Sequence, residues 1–196
     1  MATTDVDICN RALSRLGTRA TISALDENST EARTAFIWYA ATRDTLLRAH
    51  DWNFARRRVV LAEQGTAPTG WTFRHVLPTD CIRLLRLASA SPEVGAPRFE
   101  VAGDATSRFV LSDEPAAEAV YTARVDDPNL YDAGFASALV DQLAAHIAYP
   151  ITQKTETAVR LAQLARAALA DAMAADVNEA GSAADGRVPE WIAARN

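Results

Sequence analysis

Two cysteines in 196 residues, Cys9 and Cys81, are too few for a disulfide framework, and their separation matches no metal-ligand spacing. Both fall inside apolar patterns, which predicts two small core residues. Histidine is equally sparse. His50, His75 and His146 lie in different predicted elements without HxxxH or HExxH spacing, so a metal site would need long-range convergence. No apolar run approaches the roughly 18 residues needed to cross a bilayer. The acidic, polar N-terminus also lacks the basic-then-apolar order of a signal peptide, so the expectation is a chain made in the cytosol with no membrane partner. GxGxxG, GxxxxGK[ST] and GxSxG are all absent, which removes the phosphate loops and the nucleophile elbow and leaves no cofactor expected. Lysine is nearly missing: Lys154 stands alone among the arginines.

What is present describes an ordinary core-forming chain, 49% hydrophobic and 23% charged, long enough for one core or for a core plus a small lobe. The net charge of −5 argues against a protein whose task is to grip nucleic acid, because that task requires neutralising several phosphates. An acidic channel lining is different, since it lets DNA slide where a basic one would hold it.

Thr4 before Asp5 and Asp7, with Gly17 as a stop, frames an amphipathic helix along Val6, Cys9, Ala12, Leu13 and Leu16. After a link anchored by Ile22 and Leu25, Asn28 or Ser29 caps a second helix ending near His50. Its expected buried face is Ala32, Ala35, Phe36, Tyr39, Leu46 and Leu47, with Arg43, Asp44 and Arg48 largely off it. From 55 to 125, about six short apolar or alternating runs are separated by Gly65 to Gly70, Pro78, Ser91 to Pro97, Gly103-Asp104 and Ser112 to Pro115. These predict a small antiparallel sheet or sandwich. Arg56-Arg57-Arg58 lies on one of the strands, where alternate side chains point to opposite faces, so the triplet predicts a solvated edge rather than one basic patch.

Asp127-Pro128 predicts a third helix, with Leu130, Phe135, Leu139, Leu143 and Ile147 on one face and Pro150 at its close. A fourth runs from about Thr152 to Val177 with an alanine-rich stripe through Val159, Leu161, Leu164, Ala165, Ala168, Leu169, Ala172 and Met173. The expected fold is therefore α+β. Discontinuous helices in 1–54 and 126–177 form a bundle, 55–125 is an inserted β-rich lobe, and 178–196 is a flexible C-terminal tail. Within the tail, Val188, Trp191 and Ile192 make a short apolar plug. Ordering five such residues costs about 5–10 kcal/mol, and burying these three returns about 5–8. The near balance predicts a segment that is mobile in the free subunit and ordered when docked on a neighbouring subunit or ring, the alternative being a tail folded against its own bundle.

Three separated motifs carry a family resemblance: Ile8-Cys9-Asn10-Arg11-Ala12-Leu13-Ser14-Arg15-Leu16-Gly17, then Arg43-Asp44-Thr45-Leu46-Leu47-Arg48-Ala49-His50-Asp51-Trp52-Asn53-Phe54-Ala55, then Trp71 with Leu77-Pro78-Thr79-Asp80-Cys81-Ile82-Arg83. In this order the chain resembles the tail tubular protein A family, the head-to-tail adaptors of short-tailed bacteriophages. The likeness is dense over the first 87 residues and returns faintly at Trp191-Ile192. The family pattern has proline where this chain has Asp51.

The resemblance implies a structural virion protein of the tail and portal vertex, assembled in the bacterial host cytoplasm, without enzymatic activity. Its implied partners are the portal protein, neighbouring copies of itself in a ring expected to be twelvefold, a distal tail tube or nozzle protein, and genomic DNA passing through the lumen without sequence-specific binding. Trp52, Asn53, Phe54 and Trp71 are the implied fold-defining junction, in which the aromatics pin the second helix to the strands and Asn53 bonds turn backbone. Val188, Trp191 and Ile192 are the expected docking residues. Two rivals remain: a tail-associated glycan hydrolase using Asp126 and Asp127, and a small DNA-binding regulator, which the acidic balance disfavours.

Overall fold

The computed structural model describes residues 3–88 and 96–179. They form a mixed α+β fold of four α-helices and two three-stranded antiparallel sheets. The described residues divide into two compact units, one formed by those up to Tyr39 and from Tyr131 onward, the other by those within Ala40–Leu130.

In the first unit, α1 (Asp5–Arg15) opens with a reciprocal capping box. Thr4 Oγ1 accepts from the Asp7 backbone N–H at 3.1 Å, and the Asp7 carboxylate accepts from the Thr4 N–H at 2.9 Å. Ile8, Cys9, Ala12 and Leu13 are buried, and Gly17 stops the helix at φ +76°, a conformation natural to glycine. The Asn10 side chain then clasps the link from both sides, donating to Ile22 O at 2.9 Å and accepting from Ile22 N at 2.8 Å.

α2 (Thr30–Ala49) starts where Ser29 Oγ accepts from Ala32 N at 3.1 Å. Its first ten residues belong to the first unit and its last ten to the second. Ala32, Ala35, Tyr39, Leu46 and Leu47 are buried as expected, but Phe36 is 65% exposed. Phe36 lines a shallow cleft with Leu25 and Arg33 instead. Helical periodicity assigns a residue to a face; whether anything packs over that face is a tertiary matter.

α3 (Ala133–Thr152) does not begin at Asp127-Pro128. Those residues start a short 3-10 turn, Pro128–Leu130, and leave Leu130 exposed and off the helical stripe. The helix is capped five residues later by Asp132, whose carboxylate accepts from Gly134 N and Phe135 N at 2.7 and 3.2 Å. Nor does Pro150 end it. A proline in the last turn forfeits one backbone bond, and the helix runs on to Thr152, where Gln153 closes it in the left-handed conformation at φ 56°.

α4 (Thr155–Glu179) packs along α3, and α3 also packs on α1. Gly134 lies close against α4, since a Cβ there would lie 3.4 Å from the Ala172 Cβ. The expected stripe is narrower than its sequence suggests. Leu161, Ala165 and Ala172 are buried, whereas Val159 and Leu164 are exposed. Asn178 and Glu179 still belong to this helix, two residues beyond the expected start of the tail.

The described residues of the second unit form six strands: β1 (Arg56–Val60), β2 (Phe73–Val76), β3 (Cys81–Ala88), β4 (Phe99–Gly103), β5 (Arg108–Ser112) and β6 (Glu118–Ala123). One sheet has the order β1-β6-β3 and the other β2-β5-β4. Their shared core contains Leu61, Leu77, Cys81, Leu84, Leu87, Ala117, Ala119, Tyr121 and Ala123 with Val110 of β5. After β1 the chain crosses between sheets: Leu61 N donates to Ala117 O, then Val76 N and Gln64 N tie residues 62–64 to β2. Every residue of β1 is exposed, as an edge strand permits.

Candidate functional site

The second motif folds into a capped helix end. The last four carbonyls of a helix have no partner within it, and two side chains from outside α2 reach them. Trp52, fully buried, donates its Nε1–H to Leu46 O at 2.8 Å, and the Arg83 guanidinium donates to Arg48 O at 3.1 Å. Arg48 in turn donates to Ile82 O at 2.8 Å, so α2 and the start of β3 are laced in both directions. A cation at a helix C-terminus is also favoured by the helix dipole. The second and third motifs therefore meet in space at Arg48, Ile82 and Arg83.

Arg43 corrects the expectation that it lies off the buried face, being 8% exposed. It pairs with Asp44 at 2.9 Å and Asp126 at 2.6 Å, and Arg124 holds the other oxygen of Asp44 at 3.0 Å. Arg43-Asp44 is thus the centre of a four-residue ionic chain. The turn after α2 is closed by Asp51, which accepts two bonds of 3.0 Å from the Arg56 guanidinium. Asn53 and Phe54 follow in a 3-10 turn, with Phe54 6.2 Å from the Trp52 ring and His50 edge-on to it at 4.9 Å.

Trp71 sits before β2, where Arg98 lies 4.5 Å over its ring and bonds both Asp113 (2.6 Å) and Gly70 O (2.9 Å). Bonds from Arg98 and Thr72 hold the Asp113 carboxyl below its usual range. Trp71 is thereby tied to the β2–β5 end of its sheet. Val188, Trp191 and Ile192 lie outside the described residues, as does most of the Ser91 to Pro97 loop.

The two carboxylates of the hydrolase alternative are both engaged. Asp126 pairs with Arg43, while Asp127 accepts from the backbone and side chain of Asn129, which keep its carboxyl below the ordinary range. A general acid needs the opposite shift. Among the described residues, no group of three or more His, Cys, Asp and Glu could hold a metal, and no helix is long and apolar enough to cross a membrane. Burial pushes the Cys9 thiol up to about 12, so it is chemically quiet. The histidines are separately placed: His75 is buried and bonds Glu114 O at 3.0 Å, while His146 stacks on Trp38 at 4.9 Å.

One constellation escapes sequence reasoning. Arg56, Arg58, Arg83 and Arg86 gather around a cleft of about 480 Å³ on the sheet β1-β6-β3, with Asp51, Leu85 and Val120. Arg58, Val120 and Arg86 form one cross-strand row; Arg56, Thr122 and Arg83 form the next. Arg83 and Arg86 are three residues apart, which on a regular strand puts them on opposite faces. Irregularities between Cys81 and Arg83 and between Leu84 and Arg86 turn Cys81, Leu84 and Leu87 into the core and leave both arginines lining the cleft. The only legible hint is Arg56 and Arg58 at i and i+2.

No protein-family model matches the chain, and no curated protein matches its sequence.

Proposed function

We propose that this chain is a structural subunit of a phage head-to-tail adaptor of the tail tubular protein A kind. It docks on the portal, extends the DNA channel and receives the next tail component. In this reading α1, the first half of α2, α3 and α4 form the helical bundle, and the β-rich unit is its insertion. The chain acts by shape and contact, with neighbouring copies meeting through head-to-tail surfaces that close into a ring. Many weak contacts on a preassembled portal then add to a durable attachment.

The observation that carries the reading is the use made of the motif residues. Asn10 clasps the link after α1, Arg43 and Asp44 centre the ionic chain, and Trp52, Arg48 and Arg83 bind the end of α2 to β3. Residues with such framework duties suit a protein selected for shape. The bonds from Asn129 hold the Asp127 carboxyl below its ordinary range, the reverse of the shift that the hydrolase alternative needs of a general acid.

The test is electron microscopy of the cognate portal mixed with the protein. The expected result is an added ring of density, weakened when residues 186–196 are removed. A portal that gains no density, or a purified chain that cleaves peptidoglycan or capsule glycan, would defeat the proposal. A chain that is monomeric alone remains compatible, because docking supplies ordering energy.

A further inference from the structure

We infer that the arginine face of the sheet β1-β6-β3 is a sequence-independent contact for the phosphodiester backbone of nucleic acid. It deepens the adaptor reading by naming the residues through which the chain meets DNA, and it rests on that reading for its biological setting only.

The face carries four guanidinium groups and one carboxylate, Asp51, already held in two bonds by Arg56. Arg83 spends one N–H on Arg48 O. Among the described residues, no hydrogen bond or ion pair engages Arg58 or Arg86, which face each other across Val120 in one row. Thr122, in the second row, is fully buried with its Oγ1 lacking a partner. Arg58 and Arg86 thus stand exposed in one row with no carboxylate engaging either of them among the described residues, which leaves both open to an anionic ligand.

Strand geometry gives the size of the ligand. Two strands flanking a third stand about 10 Å apart, and positions two residues apart along a strand about 7 Å. The four arginine stems therefore mark a rectangle that fits a short run of backbone, which carries one charge per ~3.4 Å of axis in each strand. Planar guanidinium forks match phosphate oxygens.

An acidic polypeptide is the competing anion. A specific protein interface, however, has an apolar centre depleted in charge. Here the middle is buried Val120 and the accessible rim is arginine, with half-buried Leu85 as the apolar neighbour. A cleft rimmed by charge, without a large apolar anchor, suits phosphate, whose contacts position a backbone without reading sequence. This face is basic where the net charge of −5 led to an acidic lining being expected, and the acidic balance of the rest of the chain limits the contact to one that DNA can move past.

The test uses the purified full chain and a short labelled DNA duplex, with anisotropy measured across a salt series. Wild type is expected to bind at low salt, independently of base sequence. R58Q/R86Q should lower the slope of log affinity against log salt by roughly two. The equal-charge control R160Q/R166Q, altering exposed arginines of α4, should leave the slope unchanged. Arg58 and Arg86 are exposed and have no partner among the described residues, so the variant should melt with wild type.

Absent wild-type binding, equal losses in both variants, or displacement of DNA by poly-glutamate as readily as by unlabelled duplex would each overturn the inference. The portal experiment separates the two claims: R58Q/R86Q should still add a ring of density, whereas an adaptor reading that fails loses the ring for wild type as well.

Discussion

Trp52 does two jobs that no smaller residue combines: it fills a fully buried site and caps the Leu46 carbonyl. W52F is expected to keep most of the packing and lose the bond, at about 1–3 kcal/mol for the orphaned acceptor. W52A should cost about 3–5 kcal/mol. Urea unfolding of the two variants checks the order, and a W52F midpoint equal to that of wild type would show that the bond contributes nothing. Arg43 makes a similar asymmetric claim. Its side chain is 10% exposed, whereas that of Asp126 is 73% exposed, so water compensates the loss of one partner and not the other. D126N should cost under about 1 kcal/mol, and R43A about 2–4 kcal/mol, because it strips Asp44 of a partner and empties a packed site. The R43A/D126N cycle measures the coupling directly.

Within the helical unit, α3 meets the first half of α2 where His146 stacks on Trp38. Burial lowers the His146 pKa from its ordinary 6.5. The folded state therefore resists a proton that the unfolded chain accepts, and stability rises with pH between the depressed value and 6.5. Lowering the pH through that window should destabilise the unit, with no further loss from this group below it. An NMR titration of His146 gives the folded value. H146Q should remove this part of the pH slope in urea midpoints, and an unchanged slope would place the effect elsewhere. The limits of α1 and α2 were legible because caps are local chemistry: Thr4, Ser29 and Gly17 act on backbone within a few residues. The start of α3 was not. Asp127-Pro128 and Asp132 both offer a carboxylate cap, and the sequence pattern does not say which turn will be 3-10.

For the whole molecule, the adaptor reading turns on assembly, where the expected weakening on removal of residues 186–196 is decided at the portal and not within one chain. Composition, caps, turn residues and apolar periodicity determined the α+β class, six strands in the middle of the chain and the helices on either side. They work because each is set by neighbours a few residues away. Only the tertiary structure decided that Phe36 stays exposed, that Arg43 goes inside, and that Arg56, Arg58, Arg83 and Arg86 share one face. The last depends on two irregularities in β3 that break the two-residue alternation, and these arise from pairing with β6, more than thirty residues further along the chain. Local periodicity carries no information about a partner strand's register, so the face became visible only when the strands were side by side.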